Sequence, residues 1–146
     1  QTGKLYLEMG QPEKGKTSLE KALDLKPESG LAFRYLGECC AAMNLTADAV
    51  SAYKNAIRLN PNDADSLSAL GYLFDLQGEN PDITTIFCQQ SVDIAPENGL
   101  FRHRLGNLYL KRNQLEEALE QFQKADELGH DAKTLIKKIQ KLMREA

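Results

Sequence analysis

The sequence lacks several features by which broad classes of protein are recognised. It has no tryptophan, three cysteines and two histidines in 146 residues. No apolar run approaches the roughly 18 residues that a membrane-spanning helix needs, and the first ten residues have no signal-peptide layout. We therefore expect a soluble, cytoplasmic protein, although the absence of an initiator methionine leaves open a signal or anchor upstream.

The few cysteines and histidines also argue against a metal centre or a disulfide scaffold. Cys39, Cys40 and Cys88 are odd in number and have no CxxC spacing, which favours a reducing compartment. His103 and His130 are far apart in the sequence and have no cysteine near them, so zinc-ligand spacing is absent. We predict no metal and no cofactor.

What the sequence does contain is typical of a folded domain. Hydrophobic residues make up 42% of the chain, and the formal net charge is −3. Disordered chains combine low hydrophobicity with high net charge, so this composition predicts a globular protein with a core.

An internal repeat then determines the expected fold, because a fixed period of 20 to 50 residues indicates a repeat architecture. Glycines recur 34, 34 and 35 residues apart, and prolines follow the same period; the positions are Gly3, Gly37, Gly71, Gly106, Pro27, Pro61 and Pro96. Between these marks the apolar residues have three-and-four spacing, which predicts two amphipathic helices of about 12 to 14 residues in each period.

The predicted turns and helix ends carry suitable residues. The turns within the units hold residue types that tolerate a left-handed backbone: Gly10, Asn44, Gly78 and Asn113. Each repeated proline ends the second helix of its unit. Asn80, Pro81 and Asp82 read as a helix cap followed by a first turn.

The repeated columns resemble those of the tetratricopeptide-repeat family. In the second unit they are Phe33, Leu36, Gly37, Cys40, Ala49, Tyr53, Ala56 and Pro61. The resemblance implies an all-α fold, a right-handed α-solenoid of antiparallel helix pairs with about 3.5 units and a C-terminal capping helix. We predict units at 1–29 (truncated), 30–63, 64–98 and 99–130, with one extra residue in the turn of the third, and the capping helix at 131–146.

The predicted capping helix is amphipathic. Its apolar stripe contains Leu135, Ile136, Ile139, Leu142 and Met143, and five basic residues hold the other face. A cap is favoured because stacking leaves the last repeat with an open apolar side. A basic helix lying on a membrane surface is the alternative.

No arrangement of residues predicts catalysis, so function is expected from the surface. The three cysteines lie in apolar columns, and no phosphate-binding glycine loop is present. The resemblance implies that a partner peptide or helix binds a concave groove lined by the first helix of each unit. The predicted partner-binding residues are Arg34, Glu38, Asp65, Tyr72, Asp75, His103, Asn107 and Lys111, and the same columns also contain Leu31, Ala41, Ser68 and Leu100.

Charge is unevenly distributed along the chain. Residues 1–58 carry +1, residues 59–98 carry −7 with no Lys or Arg, and residues 99–146 carry +3. The acidic third unit favours a protein partner with basic side chains and disfavours nucleic acid. A non-catalytic scaffold is therefore expected. A recruiting segment of a larger multidomain enzyme and self-association through the truncated first unit remain alternatives.

Overall fold

The computed structural model describes residues 2–146 and shows nine helices and no strand in that range. The helices are α1 (Thr2–Glu8), α2 (Pro12–Leu25), α3 (Gly30–Ala42), α4 (Thr46–Leu59), α5 (Ala64–Leu76), α6 (Pro81–Ile94), α7 (Gly99–Lys111), α8 (Leu115–Glu127) and α9 (Lys133–Glu145). The all-α class and the predicted helix length are confirmed. Within the same residues, no helix combines the length and the apolar character needed to cross a bilayer.

The turns within the helix pairs have the predicted backbone. Asn44 and Asn113 adopt φ values of 59° and 58°, and Gly10 and Gly78 both adopt 72°. These are left-handed conformations, which glycine and asparagine adopt at the lowest cost. The turn between α5 and α6 spans 77–80, one residue longer than the turn at 43–45, so the predicted insertion is confirmed.

The helix ends are also where the sequence places them. The side chain of Asn80 accepts a hydrogen bond of 2.8 Å from the backbone N–H of Asp82, which caps α6. Ser29 caps α3 in the same way, accepting from the N–H of Ala32 at 3.1 Å. Helix α2 ends two residues before Pro27, because the residue preceding a proline disfavours the helical region.

The contacts divide the chain into two compact units, one ending at Leu73 and the other running from Phe74 to Ala146. In the first unit, α2 packs against α1 and α3, and α3 packs against α4. In the second, α7 packs against α6 and α8, and α8 packs against α9. The core of the first contains Leu19, Ala32 and Cys39.

The repeated glycines lie where two helices of a pair approach closely. A Cβ atom on Gly37 would lie 2.8 Å from Cε1 of Tyr53, and one on Gly106 would lie 3.0 Å from Cε1 of Phe122. At both positions the nearest atoms belong to an aromatic ring on the second helix of the pair, so the absence of a side chain on the glycine lets the two helices approach closely.

Helix α9 packs its apolar side against α8. Ile139 is fully buried in a cluster with Ala118, Phe122 and Ala132. Leu142 belongs to the same predicted stripe but is 38% exposed. Most of the apolar side of α9 is thus packed within the protein, as expected of a capping helix.

Candidate functional site

The predicted partner-binding residues lie on the first helices α3, α5 and α7, and we call them the first-helix stripe. Four belong to the first compact unit and four to the second. The first four are Arg34, Glu38, Asp65 and Tyr72, and the second four are Asp75, His103, Asn107 and Lys111.

In the first unit, Arg34 is the centre of a polar cluster. Its Nη1 donates to Oδ1 of Asp63 at 3.2 Å and to Oδ2 of Asp65 at 3.1 Å. Its guanidinium lies over the ring of Tyr35, 5.4 Å from the centroid, and Nζ of Lys4 lies 5.8 Å from the same centroid. Side chains of α1, α3 and α5 therefore converge on one surface.

Asp63 has a structural role that the sequence prediction missed. It is 6% exposed, and its Oδ1 also accepts from the backbone N–H of Ser66 at 3.2 Å. Asp63 thus satisfies the first turn of α5 while it holds Arg34 of α3. Its position just before α5 was the available clue, since aspartate is a preferred residue at helix N-termini.

Glu38 is half-buried beside this cluster, and burial is the largest cause of its raised pKa. Arg34 opposes that shift, whereas the carboxylates of Asp65 and Asp63 add to it. An ionised Glu38 is therefore poorly compensated, and a cation placed next to it would be favoured.

The remaining α5 positions differ from one another. Tyr72 is 45% exposed and offers an aromatic surface, as expected. Ser68 is fully buried, so its inclusion among the groove-lining columns was wrong. The spacing places Ser68 on the same face of α5 as Tyr72, but it does not show which residues of that face are covered by neighbouring helices.

In the second unit, the half-buried side chain of His103 packs against α8 and the loop that follows it. Its ring lies edge-on to Phe122, with centroids 5.1 Å apart, and 4.8 Å from the ring of His130. The amide nitrogen of Asn107 lies 3.3 Å from Nδ1 of His103. Burial, followed by the neighbouring His130, lowers the pKa of His103, so this side chain favours the neutral form.

The acidic residues of the third repeat are partly neutralised by basic side chains of other repeats. Besides the Arg34 contacts, Lys111 forms an ion pair with Asp75. Arg112 pairs with Asp82, with Nη2 and Oδ1 2.9 Å apart. The acidic and basic segments of the sequence therefore form ion pairs with each other within the protein.

The thiols are poorly suited to nucleophilic chemistry. Cys39, Cys40 and Cys88 are buried and unbridged. Burial raises the pKa of Cys39 to about 11 and that of Cys88 to about 12. The thiolate, which is the reactive form, is therefore scarce at neutral pH.

Three matches to one family cover most of the chain. Residues 40–78 match the family described as TPR repeat, and residues 87–120 and 2–29 match two described as tetratricopeptide repeat. The chain belongs to the tetratricopeptide-repeat family. The predicted family and its solenoid-type helical repeat fold are confirmed.

Solved structures and a human relative extend this comparison. A crystal structure of MamA shares 29% identity with a TM-score of 0.77, covering 87% of this chain and 74% of that one. MamA 41-end from Desulfovibrio magneticus RS-1 shares the fold at 22% identity, with a TM-score of 0.75 and coverage of 87% and 71%. Human Protein O-mannosyl-transferase TMTC1 is 24% identical over 123 residues, which span 82% of this chain and 14% of that protein. The fold is in general that of a protein-interaction scaffold.

Proposed function

We propose that the protein is a non-catalytic interaction module that binds a peptide or helix of a partner protein along the part of the first-helix stripe that lies in the first compact unit. The observation that carries this proposal is the convergence of α1, α3 and α5 in the first unit. Lys4 and Arg34 share the ring of Tyr35, and Arg34 reaches Asp65. Three successive repeats thereby present one continuous polar surface to a ligand.

The chemistry of this surface favours a partner segment that carries Lys or Arg beside an apolar anchor. Tyr72 supplies an exposed aromatic contact area, the kind of side chain that dominates binding energy at interfaces. The Asp65 side chain is 55% exposed, and exposed ion pairs contribute only about 0 to 1 kcal/mol. A basic partner side chain can therefore share Asp65 with Arg34 at little cost.

The test is selection of binding peptides from a displayed random library on the full chain, followed by affinity measurements on variants. Tyr72→Ala is expected to weaken binding about tenfold, the usual effect of losing an anchor residue. Asp65→Lys is expected to weaken it by a similar factor, because it replaces an attraction to the basic partner side chain with a repulsion. Asp24→Lys makes the same charge change at an exposed position of α2 and is expected to leave affinity unchanged.

Salt provides a second measurement of the same proposal. Binding by charged side chains weakens when salt rises from about 50 to about 500 mM, because the Debye length shortens. Selected peptides that bind equally to Tyr72→Ala, Asp65→Lys and the unchanged protein, with no salt dependence, would contradict the proposal.

A larger parent enzyme is a second candidate, favoured by one specific comparison. The matched region spans 14% of a relative whose name is that of a transferase. In that case the repeats recruit a substrate or partner for a catalytic domain elsewhere in the parent. Sequencing the parent reading frame distinguishes the two functions, since an adjoining catalytic domain is required only by the second.

We also propose that the protein can associate with further copies of itself through its first repeat. Apolar side chains are exposed in the first repeat, with Leu5 at 53%, Met9 at 56% and Leu25 at 85%. Light scattering over a range of protein concentrations tests this, because a self-associating chain increases in apparent mass with concentration.

A further inference from the structure

Helix α6 exposes a stripe of isoleucines to solvent. Ile83, Ile86 and Ile94 are 47%, 56% and 43% exposed. Their spacing places them on one face of the helix with Gln90 between them, and the face extends over about 16 Å at 1.5 Å per residue. We call Ile83, Ile86, Gln90 and Ile94 the α6 stripe.

The positions that correspond to Ile83 and Ile86 in the other repeats are polar, whereas Ile94 belongs to a column that is aliphatic throughout, with Leu25, Leu59 and Leu128 as its equivalents. The register follows from Gly15, Ala49, Thr84 and Ala118, which occupy one buried column. The equivalents of Ile83 and Ile86 are exposed charged or hydroxyl residues: Lys14, Thr17, Asp48, Ser51, Glu117 and Glu120. Solvation of this face is thus the rule in the chain, and the third repeat departs from it with two adjacent large apolar residues.

The other faces of α6 are already occupied. Thr84 and Cys88 are buried in the core. Thr85 and Gln89 accept hydrogen bonds from Arg112 and Tyr109 at 3.3 and 3.1 Å. These contacts cover the other faces of α6, so the α6 stripe remains exposed to solvent.

The C-terminal end of the stripe is acidic. Asp93 lies beside the stripe and Glu97 follows it, both exposed, and the hydrogen bond that Asp93 accepts comes from the uncharged amide of Gln89. At the N-terminal end, the carboxylate of Asp82 is already paired with Arg112. A ligand that combines apolar residues with basic ones is complementary to this surface.

A second copy of this chain fits the acidic end less well. Parallel pairing of two α6 helices would bring the two Asp93 side chains together as apolar surface is buried, which is costly. Antiparallel pairing would place Asp93 of one copy opposite Asp82 of the other, whose partner Arg112 is already engaged, so neither arrangement supplies Asp93 with a cation of its own.

We propose that the α6 stripe is a second interaction surface, separate from the first-helix stripe, that binds an amphipathic helix of another protein. That helix carries apolar residues at three-and-four spacing with Lys or Arg beside them. Ile83 and Ile86 are the anchors, and Asp93 and Glu97 set the preference for a basic flank.

The experiment uses a displayed library of random 16-residue peptides, selected on the full chain and counter-selected on a double variant, Ile83→Asp with Ile86→Ser. This variant introduces the residue types that the second repeat has at the equivalent positions, Asp48 and Ser51, so we expect it to keep the fold. Thermal melting checks this expectation. Ile86→Ser alone serves if the double variant melts early.

We expect the enriched peptides to be rich in Lys or Arg with apolar three-and-four spacing. They should bind the double variant about tenfold more weakly, a loss typical of removing interface anchors, and should bind Tyr72→Ala with unchanged affinity. This last comparison separates the α6 stripe from the first-helix stripe. A library without enrichment, peptides without a basic bias, or an oligomer of the unchanged protein that the double variant dissociates would overturn the proposal.

Discussion

At the scale of single residues, the contact between Gly37 and Tyr53 sets how closely α3 and α4 approach. Alanine raises helix propensity by about 1 kcal/mol over glycine, but its Cβ would lie 2.8 Å from the Tyr53 ring. Forcing extra volume into a packed contact costs about 1 to 3 kcal/mol. We expect Gly37→Ala to lower the free energy of unfolding in urea by about 1 kcal/mol.

The matched control for this prediction is Gly30→Ala in the same helix. A Cβ on Gly30 would lie 3.5 Å from Cβ of Leu59, an ordinary van der Waals distance. This substitution is expected to be neutral or stabilising. Equal effects of the two substitutions would show that the Tyr53 ring does not limit the approach of the helices.

Glu38 gives a prediction about pH. Burial raises its pKa in the folded protein above the ordinary value of 4.5, so the folded state holds this proton more tightly than the unfolded chain. The stability that this group contributes is therefore full below the unfolded pKa and is lost as pH rises through the folded pKa.

We accordingly expect Glu38→Gln to melt at a higher temperature than the unchanged protein at about pH 7, with a difference that shrinks as pH falls to about 4. Thermal melting followed by circular dichroism at several pH values measures this. Glu28→Gln, at an exposed loop position, should track the unchanged protein. A difference that is constant with pH would contradict ionisation as the cause.

At the scale of elements, α9 allows its two apolar positions to be compared. Ile139 is fully buried against α8, whereas Leu142 is 38% exposed. Truncating a buried Ile to Ala costs about 2 to 5 kcal/mol, and we expect Ile139→Ala to fall in that range. Leu142→Ala should cost below about 1 kcal/mol. Similar losses in urea unfolding would mean that α9 is held by its whole stripe.

The helices and turns were predictable because they depend on local chemistry that repeats. Asn44 and Asn113 mark left-handed turns, and Pro27 marks a helix end, whatever the neighbouring repeats contain. For the candidate site, the sequence predicts which helix face carries the residues but not which side chains contact one another. That Arg34 bonds both Asp63 and Asp65 depends on how far a long side chain reaches between repeats, which column spacing does not encode.

The packing of His103 shows the same limit. Its column predicts an outward position on α7, yet its ring lies against Phe122 and His130. His130 lies in the loop between α8 and α9, and its contact with His103 depends on how that loop folds back onto α7. Spacing within one column of the repeat does not encode this contact.

At the scale of the whole molecule, burial is distributed unevenly among the helices. Within α1, Gly3 is the one buried residue, whereas α5 buries seven of its 13 residues. Because repeats interact mainly with their neighbours, stability varies along such a chain. We expect amide hydrogen exchange to be fastest in α1 and slowest in α5 and in the core of α8.

This distribution predicts that damage to the first repeat stays local. Leu19 is 3% exposed and packs with Ala32 and Cys39, so Leu19→Ala is expected to cost about 2 to 5 kcal/mol. Faster amide exchange should follow in α1, α2 and α3, with α8 unchanged. Leu25→Ala, at an 85% exposed position of the same helix, should alter neither region. Acceleration of exchange in α8 by Leu19→Ala would instead show that all the repeats unfold as one cooperative body, because only then does a loss of packing in α2 accelerate exchange in a helix of the second compact unit.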